Sequence, residues 1–123
     1  AAFGDLDGDG DVDIVVHNKD GRAHVLRNVA PKQGDWVVLR CIGASGTAAL
    51  GAAVDVQIGG RSTRHEVRTS SSYCAASTPD LHIGLGKTAA IDEVRVRWPG
   101  GAVERFGPLP ADQVHTWTQG TGR

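Results

Sequence analysis

Five aspartates stand at alternate positions in Asp5-Leu6-Asp7-Gly8-Asp9-Gly10-Asp11-Val12-Asp13. Packed together they repel: two unit charges about 4 Å apart cost about 1 kcal/mol even in water, and more near a protein surface. Such a spacing calls for a cation. Asp5, Asp7, Asp9 and Asp13 occupy positions 1, 3, 5 and 9 of a D-x-D-x-D-G-x-x-D pattern, with Gly10 at position 6 for the sharp turn. A loop coiled in this way turns alternate side chains inward, and Ca2+, a hard ion, takes six to eight oxygens. Asp11, at position 7, is expected to offer its backbone carbonyl. The pattern departs from a helix-flanked calcium sensor, because position 12 is Val16 rather than a bidentate Glu. Water is left to complete the shell. Magnesium fits less well, since it keeps a small octahedral shell of its own waters.

The elements that position this loop read as strands and turns. Asp13-Ile14-Val15-Val16-His17 and Ala23-His24-Val25-Leu26-Arg27 flank Asn18-Lys19-Asp20-Gly21, a hairpin signal. Residues 30–35 read as a linker. Strands are then expected over 36–42, 54–58, 62–69, 94–98, 102–106 and around 114–117, with Leu81-His82-Ile83 leading into a bend at Gly84-Leu85-Gly86. Pro99-Gly100 suits the two central positions of a type II turn. Residues 88–93 are the one helical candidate and too short to stand as a helix. The fold class expected is all-β: a small antiparallel β-sandwich or barrel, preceded by the calcium-loop hairpin.

Composition narrows function. The chain has 123 residues, 40% hydrophobic and 22% charged, with seventeen glycines, as short strands and tight turns require. No apolar run approaches the roughly 20 residues of a membrane-spanning helix. Net charge is −1, with the acidic surplus confined to residues 1–30, where six Asp face Lys19, Arg22 and Arg27. No strongly basic face exists to mark a nucleic-acid partner. Cys41 and Cys74 have no zinc-ligand spacing; they are either two buried thiols or a disulfide, and a disulfide would imply an oxidising compartment.

Other candidate sites fail on context. Gly84-Leu85-Gly86-Lys87-Thr88 lacks the leading glycine and following helix of a phosphate loop. His17, His24, His65, His82 and His115 stand singly, and Ser70-Ser71-Ser72 has no nucleophile-elbow glycines. No catalytic triad emerges, and the chain reads as non-enzymatic. Arg64, Arg68, Arg95, Arg97 and Arg105 read as a solvated face balanced by Glu66, Glu93 and Glu104. Trp36, Trp98 and Trp117 read chiefly as packing residues, although an exposed one could stack on a sugar.

Phe3-Gly4-Asp5-Leu6-Asp7-Gly8-Asp9-Gly10-Asp11-Val12-Asp13-Ile14-Val15-Val16 resembles an FG-GAP (VCBS-type) repeat, the unit of β-propeller blades with calcium loops. The resemblance implies calcium ligation by Asp5, Asp7, Asp9 and Asp13 with the carbonyl of Asp11, and makes residues 1–29 the last half-blade of a larger parent. Gly51-Ala52-Ala53-Val54, Arg64-His65-Glu66-Val67, Ser71-Ser72-Tyr73, Leu81-His82-Ile83-Gly84-Leu85-Gly86 and Val94-Arg95-Val96-Arg97-Trp98-Pro99-Gly100-Gly101 resemble the ASPIC/UnbV domain that follows such repeats in bacterial secreted proteins and cartilage acidic protein. That likeness spans about residues 35–117, within a β domain over 36–123, and implies an extracellular or periplasmic location. Cys74 departs from the family's aliphatic residue, which favours its pairing with Cys41. The implied function is a calcium-binding binding or scaffold module with a protein or glycan ligand; the alternatives are a carbohydrate-binding module or an accessory domain of a secreted enzyme. The hairpin's unpaired edge invites self-association.

Overall fold

The computed structural model describes residues 1–123 as twelve strands without a helix. In chain order they are β1 (Ala2–Gly4), β2 (Asp13–Val16), β3 (His24–Leu26), β4 (Asp35–Ile42), β5 (Ala53–Ile58) and β6 (Arg61–Glu66). There follow β7 (Leu81–Gly86), β8 (Ala90–Ile91), β9 (Glu93–Arg97), β10 (Val103–Phe106), β11 (Leu109–Pro110) and β12 (Gln113–Thr118).

Alternation along β5 and β9 demands a sheet with one dry face and one wet face. The structure supplies it as a four-stranded antiparallel sheet in the order β10-β9-β5-β6. Val54, Val56, Val94 and Val96 point inward, each fully buried. They pack against a three-stranded sheet, β12-β4-β7, which contributes Val37, Leu39, Cys41, Ile83, Leu85 and Trp117 to one core. Trp117 stacks on Phe106 with ring centroids 4.6 Å apart, tying the last strand to the opposite sheet. The arrangement is a small β-sandwich, not a closed barrel.

The type II turn forms as expected: Gly101 N donates to Trp98 O at 3.0 Å, and Gly100 takes a φ of 94°. Several expectations change. β12 runs parallel to β4, Gln113 opposite Val37 through Thr118 opposite Ile42, so the sandwich is not purely antiparallel. A parallel pair needs a long crossover, and the chain between β4 and β12 provides one by building the opposite sheet. The expected bend at 84–86 belongs instead to β7: Gly84 is its outward residue, and Ile83 and Leu85 alternate into the core. The strand expected over 62–69 ends at Glu66, where the buried Val67 bonds Ala52 and Gly51 through its backbone. Residues 90–91 pair with β11 and bury Ile91, which explains the apolar residue in the failed helical candidate.

The hairpin at the N-terminus pairs Ile14 with Leu26, Val15 with Val25 and Val16 with His24. Sequence reading missed its third strand, β1, because three residues ending in glycine carry too little periodicity. Cys41 is buried on β4 and Cys74 is exposed at a turn with a φ of 50°; both are free thiols, so no disulfide joins them. Inward alternation fixes Cys41 in the core, while the turn holds Cys74 in solvent.

Candidate functional site

The aspartate loop joins β1 to β2, and its backbone is folded around its own carboxylates. Gly8 and Gly10 take φ values of 77° and 91°, where only glycine is at ease. This turns successive N–H groups toward Asp5: its Oδ1 accepts from Gly8 N at 2.7 Å and Asp9 N at 3.2 Å, and its Oδ2 from Gly10 N at 2.9 Å. Asp9 Oδ1 accepts from Asp11 N at 2.9 Å. Asp13, at the start of β2, is the one buried charged side chain, 2% exposed. It accepts from Leu6 N at 2.9 Å and from Asn28 N at 2.8 Å, and the Asn28 bond, then the Leu6 bond, hold its carboxyl below the usual range.

Carboxylate oxygens of Asp5, Asp7 and Asp13 all lie within 4.8 Å of one another. Asp9 and Asp11 stand outside that group. Asp7 is paired with Arg27, whose guanidinium supplies one positive charge to the cluster. Three hard oxygen donors, one ionised and locked by backbone N–H bonds, form a donor set suited to a hard divalent cation. The loop is also docked on the sandwich. Gly10 lies so close under the Trp36 indole that a Cβ there would sit 2.0 Å from Cε2, and Lys32 Nζ reaches both the Asp9 carbonyl and the face of Trp36.

The other candidates fall into place. The arginine face is interleaved with acid, though not by all the residues expected. Asp55, opposite Arg64 on β6 and Arg95 on β9, forms a bidentate pair with Arg64 at 2.7 and 3.1 Å, and Arg105 pairs with Glu93 at 3.5 Å. Arg64 beside Asp55 lowers that carboxyl below the usual range. Glu104 instead turns under the sheet to accept from Gly120 N and Gly122 N, and Glu66 makes no ion pair. Trp98 and Trp117 are buried, and Trp36 is half-buried, with Gly10 and Lys32 against its ring.

One feature escaped sequence reading. A cleft of about 660 Å³ opens between β1, β6 and the start of β7, and brings His65 and His82 to one place. Its residues come from stretches of chain far apart in sequence, so no local spacing could have signalled it.

Fold and site together define a β-sandwich module carrying a carboxylate loop at its edge. Residues 43–123 match the family model described as ASPIC and UnbV, and the chain belongs to that family. The match starts later than the expected likeness at residue 35 and reaches the last residue; the aspartate loop lies outside it. No curated protein matches the chain.

Proposed function

We propose that the chain is a calcium-stabilised, non-catalytic binding or scaffold module of a larger extracellular or periplasmic β-propeller protein. One observation carries the calcium reading: Asp5, Asp7 and Asp13 converge around one point, with Asp13 buried and held ionised at the entrance to β2. The likeness of residues 3–16 to an FG-GAP repeat supports the propeller context, and β3, exposed at all three residues, is a strand that a further blade strand could cover. Calcium neutralises the cluster, displaces Arg27 from Asp7, and fixes the loop against Trp36.

The test is calorimetric titration with calcium, paired with melting curves in calcium and in chelator. Binding to the folded chain alone adds about 2.7 kcal/mol at roughly a hundred times Kd. A melting temperature that rises with calcium, and stops rising in Asp5→Ala and Asp13→Ala, is the expected result. Absence of both heat and shift at millimolar calcium overturns the reading.

A further inference from the structure

The sandwich is open along one side. β6 ends the four-stranded sheet and β7 ends the three-stranded one, and these two edges leave the cleft of about 660 Å³ between them. That size lies within the range of small-molecule sites. Residues 67–80, which run from β6 to β7, border it without forming a strand. Connections of that length lacking structure of their own are uncommon in compact domains and are often functional. β1 closes the third side, where Phe3 N donates to Ser77 Oγ and Thr78 N donates to Phe3 O, each at 3.1 Å.

We propose that this seam binds an uncharged, polyhydroxylated ligand of one or two sugar residues. The lining mixes four hydrophobic residues with charged and hydroxyl-bearing ones, which suits a ligand that has both an apolar and a polar face. Charge balance argues against an anion: Arg64 is committed to Asp55, Asp80 is committed to Arg40, and the remaining Arg68 shares the cleft with Glu66. Hydroxyl groups need donors and acceptors side by side, and Arg68, Glu66, Ser71 and Thr78 provide both. His82 lines the same cleft beside them. Phe3, 43% exposed, supplies a ring for the apolar face of a sugar. The glycan contact then lies at the seam rather than at a tryptophan. It rests on the binding-module reading and gives that module its ligand class.

The test is a titration of the isotope-labelled chain, followed by backbone amide shifts. The probes are glucose, galactose, N-acetylglucosamine and their β-linked disaccharides, with inorganic phosphate in a separate arm. At least one saccharide should shift amides over residues 66–71 and 77–82. Arg68→Ala and Glu66→Gln, both at exposed positions, should each weaken that binding about tenfold, as loss of one charge-assisted hydrogen bond implies. Arg105→Ala, which does not line the cleft, should leave it unchanged. The proposal is overturned if no saccharide shifts those amides, if the shifts centre on Trp36, or if phosphate binds the seam more tightly than any sugar. Titrations in calcium and in chelator keep the two readings apart. A seam that stays silent while calcium still raises the melting temperature refutes the ligand alone; saccharide shifts without a calcium effect refute the calcium loop alone.

Discussion

His65 sits on β6 with its ring half-buried toward the cleft, its Nε2 3.0 Å from Thr63 Oγ1. Burial disfavours the imidazolium and pushes its pKa below the ordinary 6.5. The unfolded chain takes up the proton first, so the neutral ring's contribution is complete above pH 6.5 and is lost as pH falls below that value through the lower folded pKa. Melting temperature should therefore drop on acidification from neutrality to about pH 5, and His65→Asn should flatten that part of the profile. An unchanged profile in the variant would remove His65 as the cause. Asp13 follows the opposite logic at lower pH: its carboxylate stabilises the fold above the ordinary 3.8 and ceases to do so as pH falls below it. Types and spacing made Asp5, Asp7 and Asp13 legible as partners. The carboxylate of Asp9 was not legible as an acceptor for Asp11 N, because an alternating spacing does not say which side chains turn back on their own loop.

At the scale of elements, the junction between the aspartate loop and β4 is made by contact rather than by pairing. Trp36 follows a register shift after the first residue of β4, and its N donates to Asp112 Oδ1 at 3.3 Å while Asp112 N donates to its carbonyl at 2.7 Å. Gly10 fits beneath the indole only because it lacks a Cβ, and its φ of 91° is strained for any other residue. Gly10→Ala should lift the loop from the indole, shift Trp36 emission to longer wavelength, and cost about 1–3 kcal/mol. Unaltered emission and stability would show that the loop is not seated on Trp36. Alternation revealed β5 and β9, because each has one buried face. It did not reveal β1 or β11, whose two or three residues hold their place only through a partner strand.

At the scale of the molecule, every residue of the fifteen-member core lies between Val37 and Trp117. The N-terminal sheet is joined to the rest through the Phe3 bonds to Ser77 and Thr78, the Trp36 contact and Lys32. Removing residues 1–34 should leave a chain that still melts cooperatively, less stable by about 2–3 kcal/mol for the lost hydrogen bonds and the uncovered indole. That chain should show no calcium response. A noncooperative melt would mean that the sandwich depends on the N-terminal sheet. β3, by contrast, exposes Val25 and Leu26 at 59% and 53%. An apolar strand edge left open is a site for pairing with another strand, whether of the same parent or of a second copy.

The amino-acid sequence by itself determined the all-β class, the hairpin, the Pro99-Gly100 turn and the clustering of carboxylates in the aspartate loop. Each is local: a period of two, a glycine where φ must be positive, carboxylates a few residues apart. Tertiary structure decided the parallel placement of β12, the separation of Cys41 from Cys74, the partners of the arginine face and the open seam between β6 and β7. These depend on which distant strands share a face of the core, and side-chain alternation says that a face is buried without saying against what.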